Sequence, residues 1–178
     1  MRVITGKARG TTLKTLEGVS VRPTTDRVKE AVFSIIQFEI EGRRVLDLFA
    51  GSGQLGIEAL SRGAESAVFV DADKNSVRVV KENLAKTKLE QFASVAQTDS
   101  LAFLSMTDRV FDIAFLDPPY QTGLLQKALT SIGAHIAQGG VVICEHPTDE
   151  KLDDGFDGLA KQKDYRYGKT EITVYRKE

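Results

Sequence analysis

Apolar and polar positions along this chain fall into runs that predict strands and helices in turn. The segments "RRVLDLF" (43–49), "SAVFVD" (66–71), "ASVAQ" (93–97), "FDIAFLD" (111–117) and "GGVVICEH" (139–146) have strand length and β-forming composition. Between them, apolar residues recur at three- and four-residue intervals. That spacing predicts helices over Gln54–Ser61, Asn75–Lys86 (Val77, Val80 and Leu84 inward), Leu101–Leu104 and Gly123–Ile136. Upstream, Thr24 or Thr25 caps a helix running to about Phe38, with Val28, Val32, Ile35 and Ile36 on one face. Alternating strands and helices imply right-handed crossovers and a parallel sheet covered on both faces.

Both ends break the alternation. "RVITG" and "TTLKTL" read as two short strands around a glycine-containing turn. "LAKQKDYRY" and "TEITVYRK" flank Gly168-Lys169 and read as an antiparallel hairpin with no helix between. A dinucleotide-binding fold would continue with further crossover units. Five parallel strands closed by a hairpin fit the class I S-adenosylmethionine-dependent methyltransferase fold instead. That is a Rossmann-like α/β fold with a mostly parallel seven-stranded sheet, a C-terminal antiparallel hairpin and, here, a small N-terminal β-hairpin extension.

Length and composition narrow the class. A chain of 178 residues suits one domain over 1–178, with 1–22 as a basic arm within it. With 42% hydrophobic and 28% charged residues, disorder is excluded. No apolar run approaches the roughly 20 residues of a membrane span, and the start "MRVITGKARG" carries no secretion signal. The single cysteine, Cys144, lies in the apolar run "VVIC" and excludes an internal disulfide or a cysteine-cluster metal site. These features predict a cytoplasmic protein with neither membrane nor metal as partner.

The formal net charge of −1 hides an asymmetry. Residues 1–29 hold seven Lys/Arg (Arg2, Lys7, Arg9, Lys14, Arg22, Arg27, Lys29) against Glu17 and Asp26, leaving 17 basic and 23 acidic residues for the rest. A positive arm on an acidic body points to a polyanion; a solvated surface hairpin is the plainer alternative.

Two motifs carry the chemistry. "GSGQLG" (51–56) has the form G-x-G-x-x-G, and Asp71 follows Gly51 by 20 positions. Alone, this pattern fits a nicotinamide dinucleotide as well as S-adenosylmethionine. Asp47, just before the glycine turn, separates the two. A carboxylate there repels a pyrophosphate but attracts the α-ammonium of S-adenosylmethionine, by about 1 kcal/mol in water and more in a shielded cleft. Gly51 and Gly53 allow a tight turn and close backbone approach. Asp71 suits the ribose hydroxyls, and Asp99 suits either the adenine amino group or a helix cap. The second motif is "LDPPY" (116–120), ending the fourth strand. Ligands in open α/β sheets lie beyond the carboxyl ends of strands, so both motifs face one cleft. Two prolines stiffen the loop and remove donors. Carbonyl oxygens and the Asp117 carboxylate then make an acceptor cluster beside the aromatic face of Tyr120, which suits an exocyclic amino group on a stacked base. His135 and His146 read as structural or surface residues; Glu145 and His146 close the fifth strand, where a peripheral contact to the cleft is open to them.

The segments "RVITGKARG", "VRPTTDRVKEAVFS", "VLDLFAGSGQLGIEALSRGA", "FLDPPY" and "YRYGKTEITVY" together resemble the RsmD family of 16S rRNA guanine methyltransferases over essentially the whole chain. One departure is Ser34, where the family usually shows asparagine. The resemblance implies S-adenosyl-L-methionine as cofactor, and the 2-amino group of a guanine in 16S rRNA as target, within an assembled or assembling small ribosomal subunit, acted on by a monomer. Cofactor contacts are expected from Asp47, Phe49, Ala50, Gly51, Ser52, Gly53, Asp71, Ala72, Asp99, Ser100, Asp117 and Thr24. The catalytic set is Asp117, Pro118, Pro119 and Tyr120. RNA contacts are expected from Arg2, Lys7, Arg9, Arg22 and Arg27. Other readings are a DNA or RNA adenine 6-amino methyltransferase, a dinucleotide oxidoreductase and a non-catalytic RNA-binding module; the last two leave DPPY unexplained.

Overall fold

The computed structural model describes residues 1–18 and 24–178. The element order is α1 (Asp26–Ile35), β1 (Arg44–Asp47), α2 (Gln54–Ser61), β2 (Ser66–Asp71), α3 (Lys74–Thr87), β3 (Ala93–Gln97), α4 (Ser100–Met106), β4 (Phe111–Leu116), α5 (Leu124–Ile132), β5 (Ile136–Pro147), β6 (Gly155–Phe156), β7 (Leu159–Tyr167) and β8 (Thr170–Lys177). The strands form one sheet in the order β3-β2-β1-β4-β5-β8-β7-β6. The first five strands pair in parallel and the last three add antiparallel. The expected parallel sheet and terminal hairpin are therefore present. A two-residue strand, β6, extends the β7 edge as an eighth member.

Alternation along the strands explains the two layers. Val45, Phe69, Phe115, Ile143 and Val174 point to one face, where they pack with residues of α1, α2 and α3 such as Phe33, Ile57 and Val80. Their neighbours Leu46, Val70, Leu116, Cys144 and Tyr175 point to the other, against Leu104 of α4 and Leu125, Leu129 and Ile132 of α5. A period of two within strands buried on both sides produces this division.

Three local readings change. Helix α5 ends at Ile132, and Ile136, its expected last residue, opens β5. Helix α1 is capped by Thr25, whose hydroxyl accepts from the Val28 N–H at 3.3 Å, and it ends at Ile35 rather than near Phe38. Ile36 leaves helical geometry at φ −112° and its carbonyl accepts from Glu39 N–H in a turn, so Phe38 is left 93% exposed. At the N-terminus a single bridge, Arg2 with Thr12, stands where two strands were expected. The segment still turns back on itself, with Val3 N–H donating to Thr11 O and Leu13 N–H to Met1 O.

The arm is docked rather than solvated. The carboxylate of Glu58, wholly buried on α2, accepts from Ile4 N–H at 2.8 Å and Thr5 N–H at 3.0 Å. The same carboxylate pairs with Lys29 at 3.3 Å and Arg62 at 2.9 Å. Lys29, counted by sequence among the polyanion-facing charges, is fully buried, donates to Arg2 O, and has its pKa lowered by burial. At the turn, a Cβ on Gly6 (φ +93°) would sit 1.9 Å from Ser61 O, so only glycine lets the arm approach α2 this closely.

Candidate active site

The carboxyl ends of β1, β2, β3 and β4 open onto one cleft of about 670 Å³, within the range of small-molecule sites. The glycine loop forms its floor. Gly51 and Gly53 take left-handed φ of +57° and +85°, and Gly53 opens α2. Gly56 serves packing: a Cβ there would meet the Phe69 ring of β2 at 2.3 Å, so this glycine sets the helix-to-sheet distance.

The residues expected to hold the cofactor gather along the strand tips. Asp47, Phe49, Ala50, Gly51 and Ser52 line the cleft from β1 and its loop. Asp71 and Ala72 line it from β2, and Asp99 and Ser100 from β3 and α4. Thr24 and Asp117 close the opposite end. Gly53 does not line the cleft; its role is to turn the chain, with its N–H on Ala50 O and a hypothetical Cβ 3.3 Å from Val80.

Each carboxylate has a defined local partner. Asp71 Oδ2 accepts from Gly51 N–H and Oδ1 from Asp73 N–H, both at 2.9 Å. Asp99 caps α4, accepting from Ala102 N–H at 3.0 Å, and also lines the cleft. Asp47 is 2% exposed and accepts from Gly56 N–H at 3.0 Å. Burial pushes its carboxyl up to about 7, against the Gly56 hydrogen bond and with help from the Asp71 charge. A cation beside Asp47 would restore its ionised form.

The β4 end holds a cluster that the sequence only half disclosed. Asp117, Pro118, Pro119 and Tyr120 all line the cleft, as expected. Glu145, from β5, lines it too. The Thr24 hydroxyl lies 3.1 Å from Asp117 Oδ2 and 2.9 Å from Glu145 Oε2. Burial, then the Glu145 charge, raises the Asp117 carboxyl well above the ordinary carboxylate range. Pro119 O accepts from the Thr122 hydroxyl at 2.9 Å, which fixes the loop after the prolines. The Tyr120 hydroxyl is 3.4 Å from Thr170 Oγ1 at the β7–β8 turn, leaving its ring against the cleft. His146 sits next to Glu145 but outside the cleft lining; its Nε2 meets Thr173 Oγ1 at 2.7 Å and its Nδ1 meets Pro147 O at 3.0 Å.

Met1, Thr15 and Leu16 of the arm also form cleft wall. Asn83 of α3 ties the arm to the glycine loop, accepting from Lys14 N–H and donating to both Lys14 O and Ser52 O. Of the expected RNA contacts, Arg2, Lys7, Arg9 and Arg27 are exposed; Arg22 lies outside the described residues.

The glycine floor, the buried Asp47 and the Asp71 carboxylate fit a ligand with a nucleoside and a cationic amino-acid end, which is the form of S-adenosylmethionine. Comparison with known proteins agrees. The model of the family described as "Conserved hypothetical protein 95" matches residues 1–176. The chain is 41% identical over 182 residues to the Bacillus subtilis protein named "Putative rRNA methyltransferase YlbH", covering 99% of each. It is 41% identical over 133 residues to "Ribosomal RNA small subunit methyltransferase D" of Haemophilus influenzae, covering 73% of this chain and 69% of that one. Among solved structures, "Putative methyltransferase yhhF" of Escherichia coli superposes with a TM-score of 0.90 at 31% identity, over 100% of this chain and 98% of that one.

Proposed function

The chain belongs to the Conserved hypothetical protein 95 family, the RsmD family of ribosomal RNA methyltransferases, and from that premise we propose that it methylates the 2-amino group of a guanine in 16S rRNA. The observation that carries this reading is the shared cleft. The glycine loop and the Asp117–Tyr120 acceptor cluster line it side by side, after the adjacent strands β1 and β4.

Bound S-adenosylmethionine supplies a methyl group already activated on a sulfonium. The protein's task is the guanine amine, whose lone pair is delocalised into the ring. Asp117 and the Pro118 carbonyl accept its two N–H bonds and favour a pyramidal nitrogen. Their negative ends face the positive charge that grows as the N–C bond forms and the C–S bond breaks. The alkylated nitrogen must then shed a proton. A carboxyl group made more basic by burial and by Glu145 suits Asp117 to receive it. Thr24 holds both carboxyl groups in place. The Tyr120 ring stacks on the base and fixes its approach, so positioning supplies much of the acceleration, up to roughly 7–11 kcal/mol for aligned reactants. The base reaches this cleft from a loop or by flipping out of its stack. Exposed Arg2, Lys7, Arg9 and Arg27 meet backbone phosphates, which position the RNA without reading its sequence.

The test is methylation of small-subunit particles that lack the modification, read by nucleoside mass spectrometry. N2-methylguanosine in 16S rRNA is the expected product. N6-methyladenosine, or no product with a folded, cofactor-binding protein, overturns the reading.

A further inference from the structure

Gln54 is the first residue of α2, inside the glycine motif, and is 7% exposed. Its side chain lines the cleft, and its Oε1 is buried without a hydrogen-bond partner, alone in this among the described residues. An unpaired buried acceptor carries its full desolvation cost, and native sites keep few of them without reason. Leucine or methionine would fill the same space at no such cost.

Sheet order says which part of the cofactor is near. Across the tips, β3, β2, β1 and β4 succeed one another, placing Asp99, Asp71, Asp47 and Asp117 in a row. With adenine at Asp99, ribose at Asp71 and the target amine at Asp117, the amino-acid end falls at β1 and the start of α2. Asp47 and Gln54 both line the cleft there, and Asp47 Oδ2 accepts from Gly56 N–H, in the same helical turn as Gln54. The N-terminus of α2 favours the α-carboxylate and Asp47 favours the α-ammonium. A carboxamide offers its oxygen as an acceptor to the ammonium and, after rotation by half a turn, its N–H donors to the carboxylate.

We propose that Gln54 binds the amino-acid head of the cofactor through its side-chain amide, beside Asp47. The proposal rests on the S-adenosylmethionine reading. In the ligand-bound protein the orphaned amide gains its partner, so Gln54 lowers the stability of the empty protein and recovers that cost on binding.

The experiment compares two nucleosides by titration calorimetry on the wild-type protein, Gln54→Met and Gln54→Asn. S-adenosylhomocysteine carries the amino-acid head, and 5′-methylthioadenosine lacks it. Gln54→Met should weaken S-adenosylhomocysteine by about 10-fold, the scale of one hydrogen bond to a charged group. Its affinity for methylthioadenosine should stay within about twofold, and its ligand-free melting temperature should match or exceed wild type. Gln54→Asn, shorter by one methylene but chemically alike, gives the same comparison if Gln54→Met does not fold. Equal weakening of both nucleosides, or no weakening of either, overturns the role of Gln54. A wild-type protein that binds neither nucleoside overturns the cofactor reading itself.

Discussion

The Gly51 N–H donates to Asp71 Oδ2 at 2.9 Å, so the first glycine of the loop and a carboxylate 20 positions later form one hydrogen-bonded unit. Asp71 therefore shapes the loop before any ribose arrives, and each of its oxygens retains a lone pair for a hydroxyl. Asp71→Ala should lower S-adenosylhomocysteine affinity by 10-fold or more, about 1.4 kcal/mol, by removing both roles. Asp71→Asn keeps one acceptor and should lose less. Calorimetry on the two variants measures the difference; equal, small losses would reduce Asp71 to a bystander.

Asp117 and Thr24 separate chemistry from binding. Asp117→Ala should slow single-turnover methylation roughly 100- to 1000-fold, as loss of one preorganised polar group does. Thr24→Val removes the hydroxyl between Asp117 and Glu145 at nearly constant volume. It should slow the same step by a smaller factor, while leaving S-adenosylhomocysteine affinity within about threefold. Tyr120→Phe keeps the ring and should cost little; Tyr120→Ala should cost more.

Asp47 gives the protein a pH signature. Its carboxyl, ordinarily near 3.8, is pushed up to about 7 in the empty protein, chiefly by burial. The protonated form is the one favoured by folding. The associated stability is complete below the ordinary value and is lost as pH rises from about 4 through about 7, by up to a few kcal/mol. A bound ammonium reverses the preference. Binding of S-adenosylhomocysteine should then release most of one proton from Asp47 at pH 6 and little at pH 8. Calorimetry in buffers of different ionisation enthalpy counts the protons, and Asp47→Asn should abolish the difference.

The basic arm divides into two kinds of charge. Replacing exposed Arg2, Lys7 and Arg9 with alanine should flatten the salt dependence of RNA binding by roughly 0.7–0.9 per lost phosphate contact. Folding and cofactor affinity should hardly change. Lys29→Met is the contrast: it strips a buried partner from Glu58 and should cost about 3–5 kcal/mol of stability by urea titration. An unchanged salt slope in the triple variant would leave the exposed arm charges without an RNA role.

The parallel part of the sheet was legible because its strands contain apolar runs separated by helical segments, and the β2, β3, β7 and β8 boundaries match the sequence segments residue for residue. The cleft was legible because both motifs sit at strand ends, where topology dictates their meeting. The hidden parts depend on distant partners. Glu145 meets Thr24 across 121 positions, and Glu58 meets the arm across more than 50; no local pattern marks either contact. Lys29 read as surface charge because burial of a lysine depends on an acid elsewhere in the chain. Gln54 was in plain view inside the motif, but its missing partner is a three-dimensional fact.

The docked arm sets an order of events in folding. Its anchors are Glu58, 53 and 54 positions beyond Thr5 and Ile4, and Asn83, 69 positions beyond Lys14. Closing such loops has little reward until α2 and α3 have formed against β1 and β2 by much shorter crossovers. The arm is thus expected to be among the last segments to be seated. Contacts made after the rate-limiting step govern unfolding rather than folding. A Gly6→Ala chain, whose turn cannot approach Ser61, would fold at nearly the ordinary rate and come apart faster. The arm closes over the glycine loop through Asn83 and walls the cleft with Met1, Thr15 and Leu16, so its release would open that wall.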